Sequence, residues 1–302
     1  MRITPQITVS DTIYNAQQET NQLAILQQQV STGQRILQPS DDPAGEMQVL
    51  AGQAQINQLN TYQTNVSDAQ AKLNSSVSTL TQVSNLLTQA KDLGLQGSNS
   101  GNTPSAYQAM GEQVNSILNE VVQLANTQQN GQYLYGGTAS STTTPFTVNA
   151  QGQVVYNGSS QALSEPIGQG QQVQTLYAGS QVFQSPDVFQ ILGTLSNDLS
   201  NVNNLSPTAQ IAAIQQTLTG LDNANTSVLN VVGQQSASLQ NLQAVSSQIQ
   251  NVQLQTQQQV GNVQDADMAQ VVVSLQEQQN ALEATLYSAS SVLNLSLIEF
   301  LK

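Results

Sequence analysis

PSAYQAMGEQVNSILNEVVQLANT (104–127) decides how the rest of the chain is read. Its apolar side chains fall at Tyr107, Met110, Val114, Ile117, Val121 and Leu124, three and four residues apart in turn. That spacing puts all six on one stripe of a helix and leaves the other faces polar. Thr103-Pro104 opens the segment with a hydroxyl as cap and proline at the first helical position. The same stripe returns in each long segment on either side. A chain whose recurring feature is a one-sided helix works by packing helices on helices, in its own chain or in copies.

Towards the N-terminus, a long helix is predicted over 43–95. Its stripe runs through Leu59, Tyr62, Val66, Ala69, Leu73, Val77, Leu80, Val83, Leu87 and Ala90. At 1.5 Å per residue this is a rod of roughly 75–80 Å, longer than a globular core needs. Asp42-Pro43 starts it. A first helix over 10–32 places Ile13, Ala16, Leu23, Leu26 and Val30 near one face, and Gly33 ends it. The loop 34–42 between the two holds Arg35, Pro39, Asp41 and Asp42.

Towards the C-terminus, residues 131–184 change character. Gly, Thr and Tyr rise and short pieces alternate with period two. Candidate strands are Gln132–Tyr135, Phe146–Val148, Val154–Tyr156 and Val173–Tyr177, with a hairpin turn at Asn149–Gly152. Such an insert is too small to be stable alone and needs the flanking helices. Ser185-Pro186 then opens a helix through Phe189, Leu192, Leu195 and Leu199, and Ser206-Pro207 opens another to about Val263. Asp265 and Asp267 interrupt it, and a last helix carries Val271, Leu275, Leu282, Leu286, Ala289, Leu293, Leu297 and Phe300. The expected fold is mainly α with a small β insert. The N- and C-terminal halves form a long antiparallel helical bundle or coiled coil, with the β-rich domain at its tip. The expected boundaries are a terminal segment 1–42, a bundle half 43–130, the insert 131–184, a second bundle half 185–264 and a terminal segment 265–302. As an extended hairpin, the chain offers the two terminal helices few internal partners, so they gain stability when neighbours bury their stripes.

Composition narrows the function. Charged residues are 8% of the 302, against about 25% in ordinary soluble domains. The five basic residues are Arg2, Arg35, Lys72, Lys91 and Lys302, and with 18 acidic residues the net charge is −13. A nucleic-acid partner needs cations to neutralise phosphates, so none is expected. An anionic membrane surface is disfavoured for the same reason, and no stretch has the length of a membrane span. The N-terminus lacks the apolar core of a cleaved signal peptide.

Reaction chemistry has little to work with. Cys and His are absent, so no thiolate or imidazole activates a serine or binds zinc. A Ser–Lys dyad has three lysines to draw on. Asp41 and Asp42 sit before Pro43, where carboxylates cap amides. Asp265 and Asp267 have the spacing that begins a calcium loop but lack the glycine and glutamate that complete it. No cofactor, no metal and no enzyme activity are expected. Tyr133, Tyr135, Tyr156 and Tyr177 read either as a carbohydrate-binding face or, preferably, as packing within the insert. Arg35 is either a solvated loop charge or an ion pair with Asp41, Asp42 or a neighbouring subunit.

These residues resemble a known group. VSTGQRILQPSDDPAG (30–45) is similar to the N-terminal signature of flagellins and flagellin-like proteins. NGQYLYGGT (130–138), TPF (144–146), VVYNG (154–158) and the ending ALEATLYSASSVLNLSLIEFL (281–301) are similar to the hook-associated proteins of the hook–filament junction, the FlgL type. The resemblance implies an inner coiled-coil layer made by both termini, longer helices in the next layer and the β insert outermost. It implies a structural protein of the bacterial flagellum, exported through the type III apparatus without a cleaved signal peptide. It implies self-assembly into a ring or short helical stack. The partners would be a hook-associated protein on the hook side, flagellin or the filament cap on the distal side, and a cytoplasmic export chaperone. Flagellin, the filament subunit, is the alternative, and an adhesin on a helical stalk is a more distant one. The residues expected at the assembly interface are Leu23, Leu26, Val30, Gly33, Arg35, Asp41, Asp42, Leu275, Leu282, Leu286, Leu293 and Leu297. The chain has fewer Lys and Arg than is usual in the family, so amide hydrogen bonds and apolar seams would replace salt bridges between subunits.

Overall fold

The stripes fold as helices whose limits are set by their caps. In the computed structural model the backbone is described for residues 5–300 and the side chains for 10–290, except residues 186 and 202. The helices are α1 (Pro5–Thr32), α2 (Pro43–Gly97), α3 (Pro104–Ala125), α4 (Gly179–Phe183), α5 (Val188–Ser200), α6 (Pro207–Gln264) and α7 (Met268–Phe300). The 55 residues of α2 span roughly 80 Å. Proline stands at the start of α2, α3 and α6, where it has no amide proton to leave unpaired. The Thr103 hydroxyl accepts from Ala106 N at 3.2 Å and caps α3. The expected start at Ser185-Pro186 is displaced: Asp187 caps α5 instead, its carboxylate accepting from Gln190 N at 3.0 Å. A carboxylate one step before an apolar run is the better acceptor for the orphan amides of the first turn.

The chain divides into two compact units, residues 59–251 and residues 1–58 with 252–302.

In the first of these, the α2 stripe meets α6. Gln63 bonds Ser246, Ser84 bonds Asn225 and Lys91 bonds Asp222. Positions rise along one helix as they fall along the other, so the pair is antiparallel. Val66, Leu73, Leu80, Val83, Leu87, Leu221, Val228 and Leu242 fill the seam. Helix α3 buries Met110, Val114, Ile117 and Val121, four of the six residues of the opening stripe. It lies close on α5: Ser196 Oγ donates to the Gly111 carbonyl at 2.8 Å, and a Cβ on Gly111 would meet Ser200 Oγ at 2.1 Å.

The insert is three separate antiparallel hairpins. They are β1–β2 (Gln128–Gln129, Gln132–Tyr133), β3–β4 (Phe146–Val148, Val154–Tyr156) and β5–β6 (Leu163–Gly168, Gln171–Leu176). The middle pair and its turn fall where the sequence places them. Asn149 Oδ1 accepts from the amides of Gln151 and Gln153, and Gly152 takes a φ of 76°. The first hairpin starts earlier than expected, β5 falls where no strand is expected, and 179–183 is helix. Tyr135, Tyr156 and Tyr177 serve packing. Tyr135 is fully buried, its ring edge-on to that of Phe183, which also packs on Phe146 and Phe189, and burial pushes the Tyr135 phenol up. Its hydroxyl reaches Ser76 on α2 at 3.1 Å. Lys72 Nζ pairs with Glu165 Oε1 at 2.6 Å, and Asn65 donates to the Pro166 carbonyl at 2.7 Å. Polar bonds from α2 thus hold the insert that could not stand alone.

Asp198 is buried at the end of α5, accepting from Thr217 Oγ1 at 2.8 Å. Burial raises its pKa and the Thr217 bond lowers it by less. A carboxylate raised on folding holds its proton more tightly in the folded state, so its contribution to stability grows as pH falls. Asp198→Asn is therefore expected to stabilise the protein at neutral pH. The gain should shrink as pH falls through the carboxylate range, read as melting temperature against pH.

Candidate assembly interface

Thr12, Ala16, Glu19, Leu23, Leu26 and Val30 follow one another along α1 at alternating intervals of four and three. All six are half-buried or buried. On α7 the matching positions are Val271, Leu275, Gln278, Leu282, Thr285 and Ala289. This is the heptad rhythm of a coiled coil. Glu19 fixes the direction of the pair. Gln278 Nε2 donates to its carbonyl at 3.3 Å and Thr285 Oγ1 to its Oε1 at 2.9 Å, while Gln34 bridges Asp265 at the other end. The helices are antiparallel. They have each other as partners, where an extended hairpin is expected to offer the end segments few.

The seam also differs in membership. Ile13 and Leu286, expected on it, are each 53% exposed. Thr12 and Thr285 take the neighbouring seam positions, with Glu19 and Gln278 between them, and an apolar count passes over all four. Ile13, Ala16, Leu286 and Ala289 instead line a shallow groove of about 460 Å³. Leu26 is already buried within the chain, and Leu23, Val30, Leu275 and Leu282 are half-buried. The side chains of Leu293 and Leu297 lie outside the described residues.

A second set of apolar residues faces outward, and apolar periodicity passes over most of it. Val272 and Val273 are 50% and 54% exposed, and Tyr287 beside Leu286 is 79% exposed. The two pairs are 14 residues apart, two heptads, and so share a face. Tyr14 and Ile25 on α1 join them, as do Met47, Leu50, Leu254 and Met268. Eleven of the fifteen exposed large hydrophobics among the described residues thus fall in this unit. Neither α1 nor α7 contains a Lys or Arg.

The loop after α1 does in-chain work. Gly33 takes φ 73°, which ends the helix. Its carbonyl accepts from Ala266 N at 2.8 Å, and Arg35 N donates to the Gln264 carbonyl at 2.7 Å. The Arg35 guanidinium donates to Asp42 Oδ2 at 3.0 Å and to the Val263 carbonyl at 2.9 Å. Of the alternatives for Arg35, the ion pair is with Asp42. Asp41 turns inward on its own loop and accepts from the amides of Leu37 and Gln38. Asp42 also caps α2 by accepting from Gly45 N at 2.9 Å. That amide, and then Arg35, hold its carboxyl below the usual range. Asp267 caps α7, accepting from Ala269 N at 3.0 Å. Among the described residues no three acidic side chains gather as a metal site, and no helix is long and apolar enough to cross a membrane.

Residues 3–140 match the bacterial flagellin N-terminal helical region. Flagellar hook-associated protein 3 of Salmonella typhimurium is 26% identical over 322 residues, 99% of each chain. A flagellin of Clostridium tyrobutyricum is 28% identical over 138 residues, 45% of this chain and 37% of its own. Among solved structures, a putative flagellar hook-associated protein of Vibrio parahaemolyticus overlays with a TM-score of 0.67 at 20% identity, covering 74% of this chain and all of that one. The flagellar junction protein FlgL of Legionella pneumophila gives 0.58 at 16% identity, covering 71% of this chain and all of its own. The N-terminal part of the chain is thus similar to the flagellin-like proteins, and the likeness that runs from end to end is to hook-associated protein 3.

Proposed function

We propose that this chain is the structural subunit that joins the flagellar hook to the filament. The observation that carries the reading is the end-to-end likeness to hook-associated protein 3, beside a likeness to flagellin that stops at 45% of the chain. The subunit has no catalytic task. Residues 1–42 and 265–302 form its inner coiled-coil segments, 43–130 and 185–264 the bundle, and 131–184 the outer domain. Copies stack in a ring or short helical turn, with a hook-associated protein on one side and flagellin or the filament cap on the other. A cytoplasmic chaperone holds the chain before type III export, and the assembled protein is extracellular.

Assembly draws on the surface of the terminal unit. Leu286 and its neighbours bury apolar area against adjacent subunits, and the α1–α7 pair tightens as they do. Leu23, Leu26, Val30, Leu275 and Leu282 keep that pair together, and Gly33, Arg35, Asp41 and Asp42 set the turn that presents it. Leu286→Asp is expected to cut incorporation more than about tenfold, because a buried unpaired charge costs about 2 kcal/mol or more at an interface. The insert should stay folded, shown by unchanged near-ultraviolet dichroism of its tyrosines. Normal motility in that variant would remove Leu286 from the interface.

Deletion of the gene followed by electron microscopy tests the function itself. Hooks without filaments, with flagellin lost to the medium, are the expected result. Hook tips that keep their junction proteins while no flagellin appears anywhere would make this chain the filament subunit.

A further inference from the structure

The β3–β4 hairpin does not close onto the helices beside it. Phe146 and Tyr156 at its base are packed, their rings 5.0 Å apart. Val148, further along and facing the same way as Phe146, is 52% exposed. Under this overhang is a cleft of about 740 Å³ between the hairpin, α3 and α5. That volume lies within the range of small-ligand sites, about 300–1,000 Å³.

The lining limits the ligand. The amide side chains of Asn115, Gln151, Gln153, Gln190 and Asn197 belong to residues that line the cleft. Those of Gln151, Gln190 and Asn197 make no hydrogen bond to any described residue. No Lys or Arg lines the cleft, so no side chain there attracts an anion. One carboxylate is present, Asp187, and it already caps α5. Leu118, Val154 and Val155 add an apolar strip. Gly152 and Gly193 leave open space where a side chain would stand, so a ligand can approach the backbone of the hairpin tip and of α5. Free amides that both donate and accept, with a C–H surface and no charge to match, suit an uncharged polyhydroxylated molecule.

We propose that this cleft binds a neutral oligosaccharide, several sugar units long, across the amides of Gln151, Gln190 and Asn197. No tyrosine lines the site, and it is independent of the junction reading.

Gly193 gives a clean test, because replacing it fills the cleft without a clash and removes a glycine from inside a helix. The purified full-length chain is titrated with cellotetraose and chitotetraose by calorimetry and ligand-observed NMR, with sialyllactose as the charged control. Saturable binding of a neutral tetrasaccharide is expected, with at least tenfold loss in Gly193→Leu and in Gln190→Ala/Asn197→Ala. The melting temperature of Gly193→Leu should be unchanged or higher. Absence of binding by both neutral sugars, equal binding of sialyllactose, or binding untouched by Gly193→Leu overturns the proposal. Loss of subunit assembly in Gly193→Leu without any sugar binding would assign the cleft to a second copy of the chain instead.

Discussion

Replacing Lys72 with alanine is expected to destabilise the protein by about 3–5 kcal/mol, the usual cost of removing one partner from a buried ion pair. Lys72 is 8% exposed although it lies on a helix of this amide-covered chain. Its ammonium is 2.6 Å from Glu165, whose side chain is 20% exposed. Without the lysine, the carboxylate has only the distant hydroxyl of Thr175, at 3.5 Å, to face. The carboxylate has then lost water without gaining a counter-charge, and that loss outweighs the rest. The measurement is urea unfolding at neutral pH. The midpoint should fall while the slope stays constant, because the surface exposed on unfolding is unchanged. Lys72→Met with Glu165→Met should recover most of the loss, since an apolar pair of similar volume has no charge to desolvate. A loss under about 1 kcal/mol in the single variant would mean that the pair behaves as a solvated surface bridge.

Phe146→Ala should cost about as much, 3–5 kcal/mol on the scale of large aromatic truncations, for a different reason. The ring is 2% exposed and lies 5.0–5.3 Å from the rings of Tyr156, Phe183 and Phe189. The backbone cannot follow the lost ring. Asn126 grips it on both sides, donating to the Phe146 carbonyl at 2.8 Å and accepting from its amide at 2.9 Å. A site that cannot collapse keeps its cavity, which places the cost at the upper end of the range. The near-ultraviolet dichroism of the tyrosines should weaken while the helical signal persists. Loss of both signals together would show that the insert and the helices unfold as one.

What the sequence makes legible follows from where apolar side chains do the deciding. Helix α3 is readable because Met110, Val114, Ile117 and Val121 are all apolar and all buried. The β3–β4 hairpin is readable because Asn149 and Gly152 have few other uses together. The terminal seam is less so. Thr12, Glu19, Gln278 and Thr285 hold seam positions through hydrogen bonds or small size. Ile13 and Leu286, which look like seam residues, face outward beside them. Helical periodicity reports which residues share a face, and it does not report whether the chain itself or another molecule covers that face. The short strand β5 is hidden by Glu165 and Pro166, whose partners Lys72 and Asn65 stand 93 and 101 residues away. For the interface, the scarcity of cations makes Arg35 stand out, but only geometry chooses Asp42 over Asp41.

The loop around Arg35 also has a mechanical meaning. It receives the end of α1 and the start of α2, and it bonds the end of α6 and the start of α7 through Val263, Gln264 and Ala266. A pull on the first helix and a pull on the last therefore load the same few bonds, side by side and at the same instant. Bonds loaded together resist far better than bonds that peel one after another. Neither strand of the terminal pair can be drawn out without straining the anchorage of the other, and the strain is handed on to α2 and α6. Such a splice lets α1 and α7 bear tension as a single cord.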